Sequence, residues 1–381
     1  MKRVYWRPTR VSRAALVLIA LVALVALLAV EKLPVQRKQP WYSEKIAAAR
    51  LAEEALRVIK AERLRRGLRI DPAVDPARTG LLGPPFSPVT SNTGYLAAKR
   101  TSVNPNFAAV IVHLLKEAGV QPGDAVAVGV SGSFPALNIA TYAALQVLGT
   151  RPLVITSTAA SEWGANFAEF MWPDMERALL DRDVFEFRSA AASRGGIEDR
   201  GRGMSEEGRR LLDRAIERNA LIRIDPSSLA DAVERRMELY DELAGTRPIK
   251  AYVNVGGGTA SVGTHVGKKL FEPGVHVAPP RGVQAIAESV MLRFLERDVP
   301  VVHLSGVSRL AREHGLPLEP ATMPRVGVGT VYMRAEYNRW LAGGGLLAIF
   351  GAMLALIRMD VGQRLLRRRE RPGGRQPEQM I

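Results

Sequence analysis

Serines, threonines, glycines and a few basic residues gather where short apolar runs end, a pattern suited to chemistry on an anion or an acyl group. The first cluster, Ser131-Gly132-Ser133, follows the apolar run 125–130 and precedes a helical pattern that opens at Pro135 and carries Asn138 in its first turn. A strand, turn and helix in this order leave first-turn N–H groups without intrahelical partners. They point, with two hydroxyls, above the strand end, where an anion is favoured. Gly129-Val130-Ser131-Gly132-Ser133 approaches the G-x-S-x-G nucleophile elbow, but its last position is serine. A nucleophilic serine also needs a base. Of the five histidines, His265 and His303 follow strand-like runs and can reach a cleft, whereas His113 lies beside Ile111 and Leu114 in a helical pattern and reads as packing. Ser131, Ser133 and His265 are therefore the catalytic candidates, with no carboxylate placed to orient His265. A phosphate- or carboxylate-binding turn uses the same residues without a base, and a tight turn with a helix cap needs no ligand.

Two further clusters repeat the arrangement. The run 152–156 ends in Ser157 and Thr158, followed by Ser161, Trp163 and Asn166. The run 251–255 contains Asn254 and ends in Gly256-Gly257-Gly258 and Thr259, with His265 and Lys268 beyond. Glycines there let backbone N–H groups approach a ligand closely. The segment is not a P-loop, because Gly267-Lys268 is followed by Lys269 rather than a hydroxyl residue. No grouping of His, Asp and Glu has metal spacing, cysteine is absent, and neither a metal nor a cofactor is expected. Ser131, Gly132, Ser133, Asn138, Ser157, Thr158, Ser161, Trp163, Asn166, Asn254, the three glycines, Thr259, His265 and Lys268 make up the expected ligand-binding set.

The elements that must position these residues read as an α/β domain with a mainly parallel sheet and flanking helices. Strands are expected over 125–130, 152–156, 251–255 and 299–304, and helices over 107–118, 135–147, 205–219, 227–243 and 285–295. Sheets of this kind bind ligands at the carboxyl ends of their strands, so four hydroxyl- and glycine-rich strand ends are expected to converge on one cleft. The polar stretch 189–208 is expected to be a mobile loop. Residues 43–68 read as one amphipathic helix, taken as a stalk, followed by a Pro/Gly-rich linker, so the folded domain is expected over 90–335.

The net charge of +15 invites a nucleic-acid reading, but nine of the fifteen charges sit in residues 1–13 and 358–381. Each tail flanks an uncharged apolar run of seventeen residues, 14–30 and 341–357, the latter preceded by Trp340. Such runs are near the minimum that spans a bilayer, and flanking positive charge marks a cytoplasmic side. The expectation is therefore an α/β domain held outside the cell between an N-terminal and a C-terminal transmembrane helix, with both basic tails cytoplasmic and no nucleic acid bound. Cleavage of the first run as a signal peptide, and burial of the second as a soluble helix, are the alternatives.

With the loops VGVSGSFPALN, TSTAASEWGAN and NVGGGTASVGTHVG between a basic N-terminal anchor and a C-terminal apolar run, the chain resembles the membrane-anchored accessory protein of bacterial poly-γ-glutamate synthesis systems. The resemblance covers most of residues 90–335. It implies participation in making or exporting a γ-linked glutamate polymer or similar anionic polymer, with an ATP-dependent amide ligase and its small membrane subunit as partners. It carries no catalytic assignment; the carboxylates of such a polymer are expected to be held by helix N-termini, glycine-loop N–H groups and cations such as Arg100, Lys99 and Lys268. Two functions follow: a non-catalytic component that binds the polymer or scaffolds the synthase, or a serine-dependent hydrolase or transferase acting on that polymer.

Overall fold

The apolar runs that end in glycine and hydroxyl residues become the centre of a seven-stranded sheet. The computed structural model describes residues 13–263, 265–282 and 288–369. The basic tails beyond these bounds and part of the expected helix 285–295 lie outside the described residues; the helix there runs Val290–Glu296. The sheet strands are β1 (Ala125–Ser131), β2 (Arg151–Ser157), β3 (Ala191–Ser193), β4 (Ile222–Ile224), β5 (Ile249–Val255), β6 (Gly274–His276) and β7 (Val301–Leu304). Their spatial order is β6-β7-β5-β1-β2-β3-β4. Every neighbouring pair is parallel except the edge pair β6–β7. The fold is thus α/β with a mainly parallel sheet and flanking helices.

β1 is buried along its whole length, as its unbroken run AVAVGVS requires of a central parallel strand. Alternation splits its side chains between two layers. Ala125 and Ala127 join Tyr240, Met237 and Phe294, from the helices Leu229–Ala244 and Val290–Glu296, in one cluster. Val126, Val128 and Val130 take the other face, toward the helix Pro135–Val147. Gly129 is required for packing, because a Cβ there would lie 2.3 Å from the Tyr252 hydroxyl on β5. Tyr252 is in turn stacked on Phe294, with ring centroids 4.8 Å apart.

The chain divides into two units, Lys38–Tyr332 and a second made of Met1–Arg37 and Met333–Ile381. This moves the start of the folded domain well before residue 90. The helix Tyr42–Arg65 is no stalk: Ala48, Ala49, Ala55 and Ile59 are fully buried as it packs on Phe107–Glu117 and Pro135–Val147. The expected linker is also built in, since Arg63 donates to the carbonyls of Gly80 and Leu82 at 3.0 and 2.6 Å. The stretch 189–208 contains β3 and is pinned by bonds such as Gly201 N–H to the Gly195 carbonyl at 2.7 Å, so it is an ordered loop rather than a free one.

In the second unit, the helices Arg13–Lys32 and Arg339–Arg369 lie against each other. A Cβ on Gly345 would stand 2.9 Å from the Ala26 Cβ, which marks a close crossing. Leu16, Val17, Val25, Leu347, Phe350 and Trp340 present large exposed apolar surfaces. Among the described residues, one helix stretch is long and apolar enough to cross a membrane, Arg339–Leu356, and none of it is buried.

Candidate functional site

The sheet order creates the site. From β1 the chain proceeds outward through β2, β3 and β4, then returns to lay β5 on the opposite side of β1. The connections that leave the carboxyl ends of β1 and β5 therefore diverge, which is where open parallel sheets bind ligands. A cavity of about 270 Å³ lies there. It is lined by Ser131 at the end of β1 with Ser133 and Phe134 beyond it, Ser157 at the end of β2 with Ala159 beyond it, and Gly257, Gly258 and Thr259 after β5. A short parallel ladder of Thr90–Asn92 with Ala160–Ser161 adds residues 91–95 and Ser161 to the wall. Lys99, Gly196, Ile197, Asp199 and Lys268 complete it.

Lys99 is the most unusual group in this wall. It comes from the short helix Leu96–Ser102 and is only 2 % exposed. Its ammonium reaches Ser161 Oγ at 2.7 Å and the Ser133 carbonyl, and sits 4.1 Å from the centre of the Phe134 ring. Burial pulls its pKa from 10.5 down to about 7, opposed in part by the Glu162 carboxylate. The Glu162 carboxylate itself accepts the Gly94 N–H at 2.9 Å. The loops interlock as well: Ser161 N–H donates to Ser133 Oγ at 3.1 Å, and Ser133 N–H approaches Ser131 Oγ at 3.4 Å.

The far side is fixed by a buried ion pair. Arg236 donates through two nitrogens to Asp199 Oδ2 at 2.9 and 2.8 Å, and both side chains are about 3 % exposed. Ser193 Oγ donates to Asp199 Oδ1 at 2.7 Å and Ser157 Oγ does so at 3.1 Å. The pair thereby ties the loop after β3 to the ends of β2 and β3. Thr259 closes the gap to the glycine turn by donating to the Gly196 carbonyl at 2.9 Å. Gly256 holds φ at +91°, a left-handed conformation suited to glycine, and Lys268 Nζ lies 3.9 Å from where a Gly257 Cβ would be.

Of the expected ligand set, Ser131, Ser133, Ser157, Ser161, Gly257, Gly258, Thr259 and Lys268 line one cavity. The others shape loops instead. Asn138 donates to the Ser131 carbonyl at 2.8 Å and Asn166 to the Pro84 carbonyl at 2.9 Å. Asn254 donates to the Gly256 carbonyl at 2.7 Å. Gly132 accommodates a crowded turn, since a Cβ there would lie 2.9 Å from the Thr158 carbonyl oxygen. Thr158, Trp163 and Gly256 do not line the cavity, and neither does the loop after β7, so three of the four expected strand ends converge. The His265 side chain lies outside the described residues. His303 is no substitute: it is 2 % exposed, bonded to Asn254 at 2.9 Å, and held near pKa 3 by burial with His276 adding to the effect. Arg100, a further cation expected near a polymer, is turned to the Val74 and Ala73 carbonyls and to Glu319.

Lys99 is expected as a cation near a polymer, but its burial against Ser133 and Ser161 is not read from the sequence, and sequence reasoning misses Asp199 and Arg236. Their only sequence signal is charge within polar or helical stretches. No family model, curated protein or solved structure matches the chain.

Proposed function

We propose that this chain is a membrane-anchored component of a system that makes or exports a poly-γ-glutamate or similar anionic polymer, and that its α/β domain binds the polymer's carboxylates at the carboxyl ends of β1, β2 and β5. The observation that carries this reading is the polar cavity at the divergence of β1 and β5, with exposed Lys268 and buried Lys99 in its wall and three glycine- or hydroxyl-rich loops around them. A carboxylate is satisfied there by an ammonium, hydroxyl donors and backbone N–H groups. The three loop motifs that resemble the accessory proteins of poly-γ-glutamate systems supply the polymer's identity. An ATP-dependent amide ligase and its small membrane subunit are the partners this reading implies.

The membrane part of the reading rests on the exposed apolar stretch Arg339–Leu356. We read the helix Arg13–Lys32, with basic residues before it, as a second span, so that both tails are cytoplasmic and Lys38–Tyr332 faces outward. Retention of poly-γ-glutamate by the full chain in detergent, measured against an uncharged dextran of equal length, tests the binding claim. Selective retention of the polyanion is expected; equal retention of both polymers, or of neither, contradicts it.

A further inference from the structure

We propose that Ser161 and Lys99 are a nucleophile and its general base, and that the pocket cleaves an acyl bond instead of only holding a ligand. The geometry points to this pair and away from Ser131 and Ser133 with a histidine. Lys99 Nζ lies 2.7 Å from Ser161 Oγ, within the reach a base needs, whereas the side-chain contacts of Ser131 and Ser133 are to backbone N–H groups. A lysine is rarely fully buried unless it is paired, and what separates Lys99 from buried Lys45, which among the described residues bonds only the Val331 carbonyl, is a hydroxyl partner and a place in the cavity wall. Among the described residues no carboxylate bonds Lys99, whose partners are a hydroxyl, a carbonyl and a ring. Ser133 is a positioning residue: its hydroxyl accepts the Ser161 N–H and its carbonyl accepts from Lys99, which aligns the two reacting groups. Both members of the pair line the cavity beside Ser133 and the glycine turn.

With Lys99 uncharged, the Ser161 O–H donates to the Nζ lone pair. Ser161 Oγ attacks the carbonyl carbon of a bound amide as its proton passes to Nζ. The C–N bond then breaks, the amine leaves with the proton from Nζ, and an ester to Ser161 remains. Water, its proton taken by Nζ, cleaves the ester, and the proton returns to Ser161 Oγ; the sum is one amide and one water converted to an acid and an amine. The identity of the amide, a γ-glutamyl bond, rests on the function proposed above, but the pair itself does not.

The full chain in detergent is treated with a fluorophosphonate and the modified peptide is mapped by mass. Labelling is expected at Ser161, rising as pH passes through about 7, and falling about a hundredfold or more in Lys99→Arg, which keeps the charge but is no base. Labelling at Ser131 or Ser133, or at no serine, overturns the proposal. Ser161→Cys gives a second readout that does not depend on the buried lysine being replaceable, because the chain has no cysteine of its own. Its thiol is expected to react with iodoacetamide at neutral pH at least tenfold faster than a cysteine placed at the exposed Ala230, and an equal or slower rate contradicts the pair. Polymer binding without labelling overturns the pair and leaves the binding function standing. Labelling without polymer binding does the reverse.

Discussion

At the scale of single residues, Lys99 makes the stability of the folded chain depend on pH in a predictable direction. Folded, it releases its proton near pH 7; unfolded, it keeps it to about 10.5. Between these values the unfolded chain binds the extra proton, so stability rises with pH by at most about 1.4 kcal/mol per unit and is flat below the window. The difference in unfolding free energy between wild type and Lys99→Met, followed by urea denaturation from pH 6 to 10, should show this slope. A flat difference contradicts the burial account. Gly129 is a second test. Gly129→Ala is expected to cost about 1–3 kcal/mol by overpacking against the Tyr252 hydroxyl, and Tyr252→Phe, by removing that oxygen, should recover part of the loss. If the two substitutions simply add, the steric account of Gly129 fails. The burial of Lys99 is not legible in the sequence, because it depends on Ser133, Phe134 and Ser161, which are 34 to 62 residues away.

At the scale of elements, the site depends on the Asp199–Arg236 pair fastening the loop after β3 to the sheet. Asp199→Ala leaves a buried guanidinium without its counter-charge and is expected to destabilise the fold by about 3–5 kcal/mol. The double substitution Asp199→Leu with Arg236→Met should be far less harmful than the sum of the single changes. Purely additive losses in denaturant titrations contradict this coupling. β1, β2, β5 and β7 were readable because strands buried in a parallel sheet are unbroken apolar runs that end in glycine and hydroxyl residues. β3, β4 and β6 are three residues each, too short to carry a period. The helical period of Tyr42–Arg65 is legible in the sequence, but its place inside the folded unit rather than as a stalk is not. An apolar stripe specifies that a helix is covered, not what covers it, and here the cover is Phe107–Glu117 and Pro135–Val147.

At the scale of the whole molecule, the reading joins an apolar helix to a polyanion-binding domain, and the two can be tested apart. Replacing Ala230, exposed in the helix Leu229–Ala244, by cysteine gives a single thiol in a chain that has none. A membrane-impermeant maleimide applied to intact cells should label it, and protection until the cells are opened contradicts an outward-facing domain. Charge decides the other half. Binding of poly-γ-glutamate to the full chain should weaken as salt rises, since exposed Lys268 contributes through a screened interaction. Polyanion binding at this cavity is tested by the affinity of wild type and Lys268→Glu for poly-γ-glutamate at low salt. About a tenfold or greater loss is expected on charge reversal, shrinking at high salt, and equal affinity of the two chains at low salt rules out polyanion binding through Lys268.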